Sequence, residues 1–196
     1  MSEAEDEVAR IRAAAWHVLE RSGFEGFKMQ VVLRRANVSA RVFYRHFAGK
    51  DELLISLLKE EMVLGRRRIE RNMARASLPS EQVAAWIRST IELADHPRLA
   101  SRARLFSSQR ALVDRFSADL VDATHEFLEP LRAALAAGKA SGELPWCDPA
   151  IDAQLVHALS GTVMSVALAH RDPAMTAQLT EATVAMVLRS AGVPPG

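Results

Sequence analysis

The chain has few of the residues that define disulfide-bonded or membrane-spanning proteins. Its 196 residues include one cysteine, nine glycines and eight prolines, and 6% are aromatic. The lone Cys147 excludes an intramolecular disulfide framework and fits a reducing compartment. The longest mostly apolar run, near 161–169, falls far short of the roughly 20 residues that a membrane span needs. The acidic start, MSEAEDEVAR, lacks the apolar core of a signal peptide. We therefore expect a soluble, cytoplasmic protein with no membrane partner.

Sequence signatures of enzymes and metal sites are also missing. The chain has no glycine-rich phosphate loop and no H-E-x-x-H motif. Cys147 has no nearby partner in sequence that would make it a nucleophile, and the six histidines are too scattered for metal-ligand spacing. The sequence therefore predicts neither an enzyme, nor a cofactor, nor a metal site.

The patterns that are present are helical. Apolar and alanine residues recur at helical spacing, and no alternating strand pattern persists over more than a few residues. We predict an all-α chain of about nine helices. Ser80, Asp148 and Asp172 are the predicted caps of three of them. The predicted ranges are about 3–21, a short pair within 28–47, 50–76, 81–94, 98–111, 116–138, 149–169 and 173–190.

The stretch from Lys28 to Leu54 organises the rest of the chain. A short amphipathic helix ends at Asn37, a residue that enters the left-handed region at low cost and so turns the chain sharply. Ser39 is the predicted cap of a second short helix. Two short helices joined by such a turn form a helix-turn-helix. Its second helix should bury Val42, Phe43 and Phe47 and expose Ala40, Arg41, Tyr44, Arg45 and His46, a surface suited to reading DNA.

The charge distribution agrees with this interpretation. The net charge of the whole chain is only +1. Residues 8–50, however, contain nine Lys or Arg against two Glu, whereas residues 51–196 contain 16 basic and 18 acidic side chains. The basic excess is therefore confined to the segment that contains the helix-turn-helix, as expected of a nucleic-acid-binding element.

These residues resemble a known family. Ala36-Asn37-Val38-Ser39, followed by Phe43-Tyr44, His46-Phe47, Lys50 and Leu53-Leu54, resemble the N-terminal motif of the TetR (tetracycline repressor-like) family of transcriptional regulators. The resemblance implies a homodimer with an N-terminal three-helix helix-turn-helix domain and a C-terminal helical ligand-binding and dimerisation domain. We place the division at residues 1–50 and 51–196.

The sequence departs from the family pattern at several positions. Asn37 stands where the family usually has glycine, and Lys28 stands where it often has a threonine that caps the second helix. A lysine can reach a phosphate but cannot accept the capping hydrogen bond. Arg41 replaces a common glycine on the recognition helix. It can make a bidentate contact to guanine, the commonest specific contact in the major groove.

Phosphate contacts position a protein on DNA, and base contacts specify the sequence. We predict phosphate contacts for Lys28, Tyr44, His46 and Lys50. Ser39, Ala40, Arg41 and Arg45 are the predicted groove residues, although a phosphate could claim Arg45. The plain alternative is an ordinary helical hairpin with a solvated basic face, as in a helical protein-interaction adaptor without specific DNA binding.

The effector site and the dimer interface are harder to predict. Core packing explains each candidate aromatic at least as well as ligand binding does, and a surface or satisfied core role explains each histidine. Trp146 is a further apolar candidate, and a buried Arg104 or Arg110 would favour a ligand with a carboxylate. The predicted ligand-binding residues are Trp86, Phe106, Gln109, Arg110, His125, Phe127, His157 and Met164. The predicted dimer interface contains Leu155, Leu159, Thr162, Val166, Leu179, Thr183 and Met186.

The resemblance and the pattern together predict a ligand-responsive, sequence-specific DNA-binding regulator. The most natural form is a repressor that a small molecule releases from its operator, with the fourth helix joining the two functions. A twofold dimer would place one recognition helix in each half-site, so the double-stranded operator should be a pseudo-palindrome. A ligand acts on such a dimer only if it binds one arrangement better than the other.

Overall fold

The computed structural model describes residues 3–94, 101–102, 117–170 and 172–194, and within these ranges it is helical with no strand. The all-α prediction is confirmed. The described part contains eight α-helices, close to the expected nine, and the predicted helix at 98–111 lies mostly outside it. The helices are α1 Glu3–Ser22, α2 Met29–Ala36, α3 Ala40–His46, α4 Lys50–Met73, α5 Pro79–Ile91, α6 Ser117–Ser141, α7 Pro149–His170 and α8 Pro173–Ser190, with a short 3-10 turn at Glu92–Ala94.

Most helix ends follow from local chemistry. Asp148 Oδ1 accepts hydrogen bonds from the N–H groups of Ala150 and Ile151, and Asp172 Oδ1 does the same at the start of α8. Both predicted aspartate caps are therefore confirmed.

Two boundary predictions are wrong. Ser80 is not the cap of α5, because the helix begins at Pro79, whose fixed φ suits a first turn. The side chain of Glu81 accepts from the N–H of Leu78 instead, at 3.2 Å. Likewise α6 does not end near Gly138 but continues to Ser141, and the chain turns at Gly142 with φ +79°. Glycine adopts a positive φ of this size without steric cost, which explains why the helix stops there.

The chain divides into two compact units. Unit one contains Met1–Glu61 and Ser101–Leu120, and unit two contains Met62–Ala100 and Val121–Gly196. Helix α4 contributes its first half to unit one and its second half to unit two. The functional division that we predicted at residue 50 remains a prediction.

Unit one packs α1, α2, α3 and the start of α4 around an apolar core. Phe43 and Phe47 anchor α3 in this core. The other fully buried apolar side chains include Ile11, Ala15, Leu19, Val32, Leu53, Leu54 and Leu57. Burial of such side chains supplies most of the stability of short helices, which are marginal on their own.

A buried arginine, Arg102, connects α1 and α4 in unit one. The side chain of Arg102 is 6% exposed, and its guanidinium lies 3.9 Å from the centre of the Trp16 ring. Its Nε donates to Glu20 of α1 at 2.8 Å, and its Nη1 donates to Glu61 of α4. A buried cation is tolerated only when it is paired in this way. Arg102 therefore ties two helices of unit one to the segment that begins at Ser101.

Unit two is built on α5, α6, α7, α8 and the end of α4. Helix α7 packs against α5 and α8, and Trp86, Leu128 and Leu131 are among the fully buried core residues. By length and composition alone, α7 could cross a membrane, since its mean hydropathy reaches 1.3. Core helices of soluble proteins pass the same test. Only 33% of that apolar window is buried within the chain, so much of α7 needs another cover.

Replacing Arg102 should destabilise the protein. Arg102→Ala leaves the buried Glu61 carboxylate without its cation, so the free energy of unfolding should fall by about 3 kcal/mol. Arg88→Ala is the control, because Arg88 and Glu181 form an exposed pair worth less than about 1 kcal/mol. Urea denaturation followed by circular dichroism measures both, and equal small losses would contradict the role given to Arg102.

Candidate nucleic-acid interface

The turn between α2 and α3 has the geometry that the sequence predicts. Asn37 adopts the left-handed conformation with φ 53° and ψ 50°. The N–H groups of Asn37 and Val38 donate to the carbonyls of Arg34 and Leu33, which closes α2. Ser39 then caps α3, its Oγ accepting from the N–H of Val42 at 3.2 Å. The pair is a helix-turn-helix, and α3 is its recognition helix.

The recognition helix buries one face and presents the other to solvent. The rings of Phe43 and Phe47 stack with centroids 5.5 Å apart, and both side chains are buried. On the opposite face Arg41 is exposed, and Tyr44 is 66% exposed although its ring contacts Phe43 edge-on. An exposed tyrosine and arginine on a firmly seated helix are well placed to contact a nucleic acid.

Glu7 of α1 forms a contact with α3 that the sequence analysis missed. The residue is 6% exposed, and one carboxylate oxygen lies 2.6 Å from Arg45 Nη2 and 2.6 Å from His46 Nε2. Hydrogen bonds from His46 and Arg45 hold the pKa of the Glu7 carboxyl below its usual value. The sequence analysis assigns no role to Glu7. Nothing local in the sequence links positions 7 and 46.

The predicted outward orientation of His46 is therefore wrong. Its side chain is 11% exposed, because the imidazole turns towards Glu7 and lines an open groove between α1 and α4. We withdraw His46 as a phosphate contact. Arg45 also binds Glu7 but remains 60% exposed, so its guanidinium can still reach DNA.

The two predicted phosphate-binding lysines lie at helix starts. Lys28 occupies the position before α2, is exposed and makes no capping bond through its side chain. Lys50 begins α4, where its ammonium lies 3.5 Å from the Phe27 carbonyl oxygen and 5.2 Å from the Phe27 ring centre. Both positions add a side-chain cation to the positive end of a helix, an arrangement that favours phosphate.

Three of the predicted ligand-binding residues come together in unit two. The ring of Trp86 on α5 contacts Phe127 on α6 and His157 on α7, with centroids 5.8 and 6.2 Å away, and Phe127 lies 5.7 Å from His157. We call Trp86, Phe127 and His157 the aromatic cluster. Met164 lies two turns after His157 and is half-buried.

Other predicted ligand-binding residues do not join this cluster. His125 stands two residues before Phe127 on α6, so its side chain lies on the opposite face of the helix and is exposed. Its Nδ1 lies 2.9 Å from Nη2 of Arg132. Trp146 is 74% exposed in the turn before α7. The assignments of His125 and Trp146 to a pocket are therefore wrong. Phe106, Gln109 and Arg110, with Arg104, lie outside the described residues.

The predicted dimer residues divide by exposure. Leu155, Thr162 and Met186 are exposed, whereas Leu159, Val166 and Leu179 are half-buried. Thr183 is only 6% exposed and its hydroxyl donates to the carbonyl of Leu179, so its assignment to an interface is wrong. On α8, Met186 is exposed as an interface residue must be, whereas Thr183 faces the core of its own chain.

Cys147 is buried in the core of unit two. The thiol is 1% exposed and donates to the Leu135 carbonyl at 3.4 Å, and burial raises its pKa. A buried thiol with a raised pKa is a poor nucleophile. Within the described part of the chain, no group of three or more His, Cys, Asp or Glu side chains could hold a metal ion.

Comparisons with known proteins agree with this geometry. Residues 11–57 match the sequence model of a family described as "Bacterial regulatory proteins, tetR family". A transcriptional regulator from Rhodococcus sp. Rha1 is similar in structure, with a TM-score of 0.70 and 23% identity over 99% of this chain and 100% of that one. The transcriptional regulator FadR of Bacillus subtilis, solved with stearoyl-CoA, has a TM-score of 0.69 and 18% identity over 93% and 98%. The fatty acid degradation regulator FadR of Bacillus halodurans has a TM-score of 0.71 and 20% identity over 93% and 94%.

No curated protein has a significant sequence match to this chain. The helix-turn-helix and its outward-facing tyrosine and arginine nevertheless form a candidate DNA-binding surface, and they lie within the segment, residues 11–57, that matches the tetR family model. The family motif includes α2, the turn and α3, and these are the elements whose geometry the structure confirms.

Glu7→Gln should reduce sequence discrimination. Loss of the carboxylate frees Arg45 and His46, so the ratio of affinities for specific and random DNA should fall about three- to tenfold. Glu25→Gln, at an exposed position of unit one, removes the same charge and should leave the ratio unchanged. Fluorescence anisotropy with both duplexes measures the ratio.

The same substitution should alter the acid stability. Because the pKa of Glu7 is lowered in the folded state, its contribution is present above the ordinary carboxyl pKa of 4.5 and is lost as the pH falls through the lowered value. Glu7→Gln should therefore melt below wild type at neutral pH, and the gap should close in acid. A gap that is constant with pH would contradict the ion pairing.

Proposed function

We propose that the protein is a homodimeric, sequence-specific repressor that a small molecule releases from its operator. The observation that best supports DNA binding is the exposed face of α3, held by Phe43, Phe47 and Glu7 in unit one. Residues 1–50 form the DNA-binding domain of the proposal and residues 51–196 its effector-binding and dimerisation domain. It would act without enzymatic activity in the bacterial cytosol.

Each subunit places α3 in the major groove. Arg41, Ser39, Ala40 and Arg45 lie towards the base edges in this proposal, and all four are exposed. The exposed Tyr44 and Lys28, with Lys50 at the start of α4, contact phosphates. His46 does not contact DNA in this proposal but holds α3 against α1 through its hydrogen bond with Glu7.

The proposal is tested by binding to DNA that flanks the protein's own gene. Purified full-length protein is titrated into a fluorescent duplex at several salt concentrations, with a random duplex as control. We expect a tight complex that resists random competitor and weakens steeply with salt. Binding no tighter than to random DNA at any salt concentration would contradict a local operator and favour the adaptor alternative.

Substitutions on α3 and α4 should separate positioning from reading. Lys50→Ala and Tyr44→Phe should weaken binding to every sequence, and Lys50→Ala should reduce the salt slope by about 1. Arg41→Ala should instead lower the preference for the operator, at a cost of about 1–3 kcal/mol for one lost base contact. Lys139→Ala, exposed in unit two, is the control. Equal losses on operator and random DNA for Arg41→Ala would contradict its assignment.

A second copy of the chain is the proposed cover for α7. Ile151 and Leu155 are 59% and 62% exposed, and Met186 of α8 is 48% exposed. From Leu155 the stripe continues at helical spacing through the exposed Ala158, Thr162 and Ser165. Small and apolar side chains in such a row fit a helix of a symmetric partner closely. Leu159, Val166 and Leu179 would lie at the edge of this interface.

Leu155→Glu should therefore produce a monomer, because a carboxylate would be buried without a cation in the interface. Ala136→Glu is the control for an added carboxylate, because Ala136 is exposed on α6, outside the proposed interface. Sedimentation velocity gives the mass of each variant, and the monomer should bind operator more than about tenfold less tightly. A dimeric Leu155→Glu would place the interface elsewhere.

The effector is proposed to bind in unit two, beside the aromatic cluster of Trp86, Phe127 and His157. The FadR structure with stearoyl-CoA is one case in which this fold accompanies a ligand with a long acyl chain. Such an effector can release the operator only by favouring one arrangement of the two recognition helices.

A further inference from the structure

Helices α5 and α7 bury four polar side-chain atoms that have no hydrogen-bond partner among the described residues. They are Trp86 Nε1, Thr90 Oγ1, His157 Nδ1 and Ser160 Oγ. Trp86 and Ser160 are fully buried, and Thr90 is 3% exposed. Buried polar groups in folded proteins are almost always paired, so four exceptions on two adjacent helices need an explanation.

The four groups lie on facing sides of α5 and α7. The rings of Trp86 and His157 are 6.2 Å apart, and the two helices pack together. Thr90 follows Trp86 by one turn on α5, and Ser160 follows His157 by one turn on α7, so each pair shares a helix face. Phe127 of α6 contacts both rings.

Other hydroxyls on α7 and α8 show that the unpaired state is not general. A helical Ser or Thr usually satisfies itself by donating to the carbonyl four residues earlier. Thr162, Ser165, Thr176, Thr180 and Thr183 all do so, at 2.7–3.0 Å. Thr90 and Ser160 do not, and their hydroxyls remain available to a further molecule.

The chemistry of the four groups defines what can pair with them. The indole N–H of Trp86 only donates, so its partner must accept. Two hydroxyls accept or donate as needed, and burial lowers the pKa of His157, which keeps its imidazole neutral near neutral pH. None of the four carries a charge that would compensate a buried carboxylate, and their neighbours in the aromatic cluster are apolar.

We propose that these four groups and the aromatic cluster bind an apolar molecule through an uncharged hydrogen-bond acceptor, such as the carbonyl of an ester, an amide or a ketone. The carbonyl oxygen accepts from Trp86, and the apolar part lies against Phe127. The proposal rests on the proposed function in taking unit two as the effector-binding part. It differs from the carboxylate ligand that Arg104 or Arg110 would favour if buried, and both arginines lie outside the described residues.

The test compares neutral and charged probes of one chain length. Methyl octanoate and octanamide are titrated into the full-length protein by isothermal calorimetry near neutral pH, with octanoate as the charged counterpart. Saturable binding of the ester or amide, at least tenfold tighter than octanoate, is the expected result. Octanoate binding as tightly as the neutral probes, or no saturable binding by any probe, would overturn the proposal.

Two substitutions test the hydroxyls directly. Thr90→Val and Ser160→Ala should each weaken the neutral probe about three- to tenfold, because each removes a hydrogen bond to it. Thr180→Val is the matched control, since Thr180 is equally buried but already bonded to its own helix, and probe affinity should not change.

The melting temperature without ligand separates a binding role from a structural one. Thr90→Val and Ser160→Ala each remove a buried group that has no partner, so the ligand-free variants should melt at or above the wild-type temperature. Thr180→Val breaks a satisfied bond and should melt below it. If all three melted equally low and probe affinity stayed the same, the two hydroxyls would be structural and the site would be rejected.

Operator release is measured separately, so that the two proposals fail separately. Neutral probes that bind in unit two without changing operator affinity would leave the site standing and refute the effector mechanism. Specific operator binding by a protein that binds no probe would leave the DNA-binding function standing and refute the proposed site.

Discussion

A recognition helix of seven residues cannot hold its own shape. Isolated helices of this length are marginal in water, so α3 depends on contacts with the rest of unit one. Ser39 satisfies its first turn, Phe43 and Phe47 anchor its inner face, and Glu7 binds its last turn through Arg45 and His46. The exposed face is then free to carry side chains chosen for DNA and not for stability.

Glu7 stands in an unusual place for an acid. A carboxylate close to a DNA-reading surface opposes the phosphates, yet here it forms an ion pair with Arg45 and a hydrogen bond with His46. The arrangement fixes the direction of Arg45 while leaving its guanidinium mostly exposed. A side chain held in one direction loses less conformational freedom when it meets DNA, which favours discrimination between sequences.

Buried polar groups occur in both units. In unit one the buried cation Arg102 is stacked on Trp16 and paired with Glu20 and Glu61. In unit two, Trp86, Thr90, His157 and Ser160 bury polar atoms that no described residue satisfies. Paired groups hold a structure together, whereas unpaired ones raise its energy until a molecule satisfies them. The four unpaired groups of unit two lie together on two facing helices, and this clustering is what favours a binding role for them.

Local chemistry explains which features the sequence could reveal. The turn at Asn37, the cap at Ser39 and the aspartate caps of α7 and α8 depend on residues within four positions of each other, and the predictions there are confirmed. Glu7 and His46 are 39 residues apart, and Arg102 and Glu20 are 82 apart, so no local pattern could pair them. The predictions for His125 and Thr183 were wrong because they were made from residue type. Packing decides which helix face is buried, and it leaves His125 exposed and Thr183 in the core.

Unit one is assembled from two separate parts of the chain, and Arg102 belongs to the second. Recombination between related genes that exchanged only the first 61 residues would import a new helix-turn-helix without the arginine that pairs with its Glu20 and Glu61. Such a chimera would leave the Glu61 carboxylate, which is 12% exposed, without its cation. New DNA specificities in this lineage should therefore arise more readily by point substitution on α3 than by exchange of whole N-terminal segments.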